Sequence, residues 1–250
     1  MKTFAMVLLA SLLVAGHSQV TLISSTFDTD DEGWNIFSDG RDFQWVSNVG
    51  NPPGSVFAID ITNGQWWYFR ASDAFLRNKS AAYGGTLSWQ INCNARDASN
   101  NTIPDVVLIG AGMTLVYDLP QPVVNVWHPY SVSLVETAGW RINSFTGAVP
   151  TEAQFRAVLA NLTAMRLRGE FRTGADQAYL DNVAMTGFCP SQGQMIGDLN
   201  GDRIVDDTDL SLVLEAFGQT GWAMAEDTNC DGIIDDIDLA NVLENFGRTW

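Results

Sequence analysis

The stretch Thr86-Leu-Ser-Trp89-Gln-Ile91-Asn92 decides the fold class. In an extended chain Leu87, Trp89 and Ile91 fall on one face and Ser88, Gln90 and Asn92 on the other, because successive side chains of a strand alternate. That pattern buries one side of an antiparallel sheet and leaves the other in water. A helix would require a repeat of 3.6 residues, which this stretch lacks.

Outward from it, the same chemistry recurs. Thr21–Phe27, Phe43–Ser47, Ser55–Ile61, Gln65–Arg70, Asp105–Ile109, Met113–Tyr117, Tyr130–Val135, Ala164–Phe171 and Tyr179–Thr186 are rich in β-branched and aromatic residues. Turn-formers such as Ser38-Asp39-Gly40, Asn51-Pro52-Pro53-Gly54 and Asn63-Gly64 separate several of them. One helix is marked by Thr151-Glu-Ala-Gln154, a capping box after Pro150, followed by Phe155, Val158, Leu159 and Leu162 on a single face. About ten strands with one covering helix predict a mainly β domain, a jelly-roll-like β-sandwich with a capping helix.

The last fifty residues read differently. Asp198-Leu-Asn200-Gly-Asp202-Arg-Ile204-Val-Asp206-Asp-Thr-Asp209 returns as Asp227-Thr-Asn229-Cys-Asp231-Gly-Ile233-Ile-Asp235-Asp-Ile-Asp238. Each copy sets oxygen-bearing side chains at loop positions 1, 3, 5, 9 and 12, and a β-branched residue at position 7 that offers only its carbonyl. A hard cation takes about six to eight oxygens at roughly 2.3–2.6 Å, and short carboxylates on alternate residues of a tight loop supply them. Two calcium ions are therefore expected, one per loop. Arg203 stands at position 6, where the sharp turn ordinarily calls for glycine, which predicts a strained first loop. Leu210, Val213, Leu214 and Phe217 follow the first loop, and Leu239, Val242, Leu243 and Phe246 the second. Both sets have helical spacing and end at a glycine suited to a left-handed cap, Gly218 or Gly247. This predicts a small α module of two loop-helix units.

Charge divides the chain in the same place. Residues 198–250 hold 13 acids and 2 bases, whereas residues 1–197 hold 16 acids and 11 bases. The acidity thus sits where cations are expected, and it argues against a nucleic-acid partner. At the other end, Met1-Lys2 and the apolar run Phe4 to Ala15, with Gly16 and Ser18 before Gln19, read as a signal peptide. That run is short for a membrane span, so no membrane insertion is expected and the protein is read as secreted, extracellular or held at a cell surface. The expected domains are a signal peptide over 1–18, a β-sandwich over 19–188, a linker over 189–197 rich in Pro, Gly and Ser, and the loop-helix module over 198–250. Three cysteines, Cys93, Cys189 and Cys230, cannot form a complete disulfide set, and a bridge between Cys93 and Cys189 is one pairing open to them.

Little in the chain points to catalysis. After signal removal one histidine is left, His128, flanked by Trp127 and Pro129 and read as a surface or packing residue. Asp60, Asp118, Glu136 and Glu170 would have to converge for glycoside hydrolysis, and no spacing singles them out. Binding has a better candidate in Trp66-Trp67-Tyr68-Phe69. Alternation sends Trp66 and Tyr68 to one face and Trp67 and Phe69 to the other, while a sandwich strand has a single core face. One pair must then be exposed, covered by a loop, or part of a ligand-binding surface, and Trp66, Trp67 and Tyr68 are the residues considered for it. Trp34, Trp45 and Trp140 carry weaker hints of the same kind, and Asp28 with Asp181 is a further candidate pair for a structural calcium.

Two resemblances follow from these residues. Ser25-Thr-Phe27-Asp28 with Gly33-Trp34, Tyr83-Gly-Gly-Thr-Leu87-Ser-Trp89, Phe155-Arg-Ala-Val-Leu159 leading to Leu167-Arg-Gly-Glu170-Phe171, and Tyr179-Leu-Asp181-Asn182-Val183 resemble the laminin B domain, laminin domain IV, over roughly residues 24–188. The resemblance implies an extracellular, galactose-binding-like sandwich that acts in adhesion or binding. The cysteine-rich repeats that flank this domain in animal laminins are absent from the sequence. The C-terminal pair resembles a type I dockerin, since each unit is loop then helix and position 12 is aspartate. It implies a cohesin-like partner chosen through loop positions 10 and 11, here Asp207-Thr208 and Asp236-Ile237. Where those dockerins often carry a basic pair, this chain has Glu215-Ala216 and Glu244-Asn245. The expected function is that of a secreted, calcium-binding, non-catalytic protein whose sandwich binds glycan or a matrix component and whose dockerin attaches it. The alternatives are an assembly protein docking to a cohesin-like partner and an accessory or catalytic part of extracellular polysaccharide degradation.

Overall fold

The computed structural model describes residues 19–61, 66–97, 103–188, 196–220, 224–229 and 232–249. The expected signal peptide and residues 189–195 of the expected linker lie outside them. In chain order the strands are β1 (Gln19–Ser25), β2 (Asn35–Phe37), β3 (Arg41–Gly50), β4 (Pro53–Asp60), β5 (Tyr68–Arg70), β6 (Thr86–Cys93), β7 (Val106–Gly110), β8 (Met113–Tyr117), β9 (His128–Ser133), β10 (Arg141–Ile142), β11 (Leu162–Arg168) and β12 (Asp176–Phe188). They form two antiparallel sheets. The first runs β3-β4-β12-β6-β9, with β1 also paired to β12, and the second runs β10-β8-β7-β11-β5-β2.

Facing residues of the two sheets make one core. From the first sheet come Val56, Ala58, Leu87, Trp89, Ile91, Ala178 and Leu180, and from the second Phe69, Val106, Leu108, Leu115, Met165 and Leu167. Register explains the second set: Leu167 lies opposite Phe69 and Val106, and Leu108 opposite Met165 and Leu115. In β6 the expected alternation holds, with Leu87, Trp89 and Ile91 buried and Ser88, Gln90 and Asn92 half-exposed. The mainly β sandwich is thus the observed architecture. Two strands, β2 and β10, go beyond the sequence reading, because runs of three and two residues carry no period.

The helix α1 (Glu152–Ala160) begins at Thr151, whose side chain accepts from the Gln154 backbone amide while the Gln154 side chain accepts from the Thr151 amide. Phe155, Val158 and Leu159 are buried, and α1 lies against the β7–β8 hairpin, with Phe155 edge-on to Trp140 at 5.5 Å. Leu162, read as the last apolar residue of this helix, instead opens β11. Its backbone exchanges hydrogen bonds with Arg77 at 2.9 and 2.7 Å, which draws the chain into an extended bridge.

The C-terminal region holds helices α2 (Asp207–Ala216) and α3 (Asp236–Asn245), packed on each other over a small core of Leu199, Val205, Val213, Ala216, Ile234 and Val242. The repeat is interlocked. Gly218, after α2, donates to Ile234 of the second loop, and Gly247, after α3, donates to Val205 of the first, each at 2.8 Å. Both glycines are left-handed, at φ +79° and +80°, as their caps require. The expected apolar faces are buried only in part. Val213 and Val242 are in the core, whereas Leu214, Phe217, Leu243 and Phe246 stand exposed, because two short helices enclose little more than one row of side chains between them. A hydrogen bond runs between the regions, the Asn78 side-chain amide donating to the Gly232 carbonyl at 3.0 Å.

Candidate functional site

The aromatic run at β5 resolves by alternation. Trp67 and Phe69 point inward, fully buried and edge-on at 5.1 Å. The Trp67 indole donates to Asp176 Oδ1 at 3.2 Å, and its ring lies so close to Gly169 that a Cβ there would stand 2.1 Å from it. Trp67 is therefore a core residue and takes no part in a ligand surface. Tyr68 points outward but is covered by Ile103, Val107 and Val116, and burial pushes its hydroxyl above the ordinary phenol range. Trp66 stays 51% exposed.

Around Trp66 and Tyr68 the outer face of the second sheet forms a groove of about 620 Å³, lined also by Phe37, Asn143, Phe145 and Arg166. Strand register builds it. Phe37 lies opposite Tyr68, and Arg166 lies between Arg70 and Val107, all on the face away from the core. The Arg166 guanidinium stacks on Phe37 with its carbon 3.5 Å from the ring centroid. Its Nε is buried with no hydrogen-bond partner among the described residues, and burial lowers its pKa. A groove of aromatic faces with one under-used planar donor is suited to a flat, hydroxyl-bearing ligand. The cue to Arg166 in the sequence is its alternation with Met165 and Leu167, which sets it opposite the core; nothing local points to Phe37, Asn143 or Phe145.

Beside the groove Arg168 pairs with Asp105 at 3.4 Å and donates through Nε to the Glu170 carbonyl. Burial outweighs Arg168 and pushes the Asp105 carboxyl up to about 7, with Asp118 raising it further. Of the four carboxylates that glycoside hydrolysis would require to converge, Asp60 and Glu170 come together, and they do so with Asp39. Asp118 neighbours Asp105, and Glu136 accepts from the Tyr83 hydroxyl at 2.6 Å. Burial first, then Asp176, Asp60 and Asp39, push Glu170 up to about 7. His128 opens β9, its ring edge-on to Tyr130 at 4.7 Å.

Trp34, Trp45 and Trp140 serve packing. The indoles of Trp34, Trp45 and Trp140 donate to Ser25 Oγ, the Phe27 carbonyl and the Ser133 carbonyl at 2.9, 2.7 and 2.9 Å. Asp181 accepts from the Asn51 and Asn182 amides at 2.6 and 2.7 Å, and Asp28 accepts from the Thr26 hydroxyl at 2.9 Å. Cys93 is in the core with its thiol pushed up to about 11 by burial; Cys189 and Cys230 lie outside the described residues.

The duplicated loops are wound on their own carboxylates. Asp198 Oδ2 accepts from Arg203 and Asp227 Oδ2 from Gly232, both at 2.9 Å, so position 1 ties down position 6 in each copy. Asp209 and Asp238 each accept from the amides at positions 2, 3 and 9, at 2.7, 3.1 and 2.9 Å in the first copy and 2.7, 3.2 and 2.9 Å in the second. Asp206 and Asp235 cap α2 and α3. Asn200 and Asp202 ring the first loop, the Asp202 amide donating to Asn200 Oδ1 at 2.8 Å, and the Ile204 amide donates to Asp202 Oδ1 at 2.9 Å. Ile204 and Ile233 form bridges to Thr249 and Thr220. Arg203 adopts φ +73° where Gly232 has +84°, the strain expected at position 6 of the first loop. Asp207-Thr208 and Asp236-Ile237 lie at the starts of the helices or in their first turns, and Asp231 lies outside the described residues. This all-oxygen donor set, held by the same amides twice, fits calcium.

A model of the family described as Laminin B (Domain IV) matches residues 68–194, about half of the chain. The chain belongs to the laminin B (domain IV) family. Among relatives of this laminin B chain, laminin subunit gamma-1 of Danio rerio is 32% identical over 174 residues, covering 68% of this chain and 10% of that protein. Laminin subunit gamma-2 of Homo sapiens is 28% identical over 194 residues, covering 74% and 15%. The chain thus spans a small part of the length of these relatives. Among solved structures, the L4b domain of human laminin alpha-2 is similar at a TM-score of 0.48 and 16% identity, covering 57% of this chain and 83% of that one. The solution structure of CtCBM11 is similar at 0.44 and 15%, covering 70% and 98%.

Proposed function

We propose that this chain is a secreted, non-catalytic binding protein whose laminin B sandwich takes a glycan in the outer-face groove and whose C-terminal loops form a calcium-folded, dockerin-like attachment module. The observation that carries the reading is the half-exposed Trp66 beside Phe37, Phe145 and the Arg166 Nε, which has no hydrogen-bond partner among the described residues. Aromatic faces stack on the C–H faces of sugar rings, and a planar donor meets their hydroxyls. A glycan array probed with the full chain in calcium is the test. Trp66→Ala is expected to weaken any hit at least about tenfold, equivalent to roughly 1.4 kcal/mol, with the melting midpoint unchanged. Hits that persist undiminished in Trp66→Ala, or an array without hits, would reject the groove.

A second reading, assembly through a cohesin-like partner, is favoured by Leu214 with Phe217 and Leu243 with Phe246, exposed at equivalent places on the two helices. A pull-down from the producing cells' secreted fraction, with and without Asp198→Ala plus Asp227→Ala, tests it. The partner should be captured by the unaltered chain in calcium and lost with the double variant.

A further inference from the structure

Apart from the duplicated loops, one cluster in the sandwich gathers negative charge with no ligand function yet attached. Asp39 comes from the turn between β2 and β3, Asp60 from the end of β4, and Glu170 from the segment after β11. One carboxylate oxygen from each lies within 4.8 Å of the others. Asp60 and Glu170 are only 2% and 6% exposed, and Asp39 is half-buried. The Trp67 backbone amide hydrogen-bonds the Glu170 carboxylate, yet Glu170 Oε2 is buried with no partner among the described residues. A fourth carboxylate stands alongside. Asp176, opposite Asp60 across β4 and β12, is occupied by the Trp67 indole at Oδ1 and the Phe171 amide at Oδ2, 3.2 and 2.9 Å away.

The geometry points to a cation site belonging to the sandwich itself, in which Asp39, Asp60 and Glu170 hold a calcium-sized divalent cation. An ion bonded to oxygens at about 2.3–2.6 Å spans ligand separations up to roughly 5 Å, so it can touch all three carboxylates without moving the backbone. Buried carboxylates in such company demand a counter-charge, since the interior does not screen their repulsion as water does. Glu170 Oε2 supplies the lone pairs that hydrogen bonding leaves unused. The three segments meet at one edge of the core, so the ion would pin the β2–β3 turn to the strand ends beside Trp67.

The site stands apart from the loops at 198–209 and 227–238, and from the groove reading. Its test uses the full chain with Asp198→Ala plus Asp227→Ala, alone and combined with Glu170→Gln. Equilibrium dialysis with calcium is expected to give one ion per double-variant chain and none once Glu170→Gln is added. Terbium, excited through Trp67, should follow the same pattern. Calcium at about one hundred times its dissociation constant should raise the sandwich's melting midpoint by roughly 5–10 °C. Glu170→Gln should abolish that rise while raising the midpoint in chelator, because it removes one of the repelling charges. A double variant that binds no calcium, or that binds it equally with Glu170→Gln, would overturn the site. A cluster neutralised by a proton alone would show as a midpoint indifferent to calcium, which also overturns it.

Discussion

Leu167 in the sandwich and Asp209 in the C-terminal module are both fully buried, but one hides an apolar side chain and the other a carboxylate. Around Leu167 the two sheets contribute a broad core, and each such aliphatic side chain is worth about 1.5–3 kcal/mol when withdrawn from water. Around Asp209 the core has six buried residues, and the loop is organised by amides turned toward oxygens. So small a core rarely stabilises a fold alone, which is why metals or cross-links accompany such modules. The difference teaches that one chain stores its fold in two currencies, apolar area and charge, and each region should fail under a different insult.

The largest effect should come from charge removal in the module. Asp198→Ala plus Asp227→Ala is expected to abolish α2 and α3, read as lost helical circular dichroism and rapid proteolysis after residue 196, with the sandwich transition intact. If both helices persist without these carboxylates, the contrast between the regions collapses.

Next, Trp67→Ala attacks the apolar region. It empties a fully buried site and removes the indole hydrogen bond to Asp176 Oδ1, so urea unfolding should show a loss of about 3–5 kcal/mol confined to the sandwich transition. A loss below about 0.5 kcal/mol, the range of ordinary surface changes, would mean the core is looser than its burial implies.

A smaller effect sharpens the comparison by pH. Burial raises Asp105 in the folded state to about 7, above its unfolded value near 4. The folded chain therefore binds more protons between these values, and the stability Asp105 contributes below pH 4 is lost as pH rises through 7. Asp105→Asn should flatten that decline in urea midpoints measured from pH 4.5 to 7.5. The same slope in both chains would remove Asp105 from the account.

The smallest expected change is at the cap of α1. Thr151→Ala should cost about 1 kcal/mol, since Thr151 satisfies the Gln154 amide at the helix start. A thermal melt resolves it, and no change would show that tertiary packing alone holds α1.

The sequence made these two regions legible to different depths. The period-two pattern of Thr86–Asn92 and the capping box at Thr151 are local signals, and both correspond to elements found in the structure. The duplicated loop was legible because its carboxylates act within twelve residues of one another. The groove was half visible: alternation at Trp66-Trp67-Tyr68-Phe69 separates the faces but does not say which one is core. That choice depends on Leu167 lying opposite both Phe69 and Val106, a matter of register between distant strands. The meeting of Phe37 with Arg166, and of Glu170 with Asp39 and Asp60, was out of reach for the same reason, because those partners lie more than a hundred residues apart and leave no spacing to read. Leu214 and Phe217 were misplaced because helical period reports a face without reporting how much of it a partner covers.

The most direct test of the contrast is amide hydrogen exchange on the full chain, in calcium and then in chelator, resolved by segment. Protection in residues 198–249 should vanish on chelation while β6 and β12 stay protected. Unchanged protection of α2 and α3 in chelator, or equal loss from β6 and β12, would contradict it.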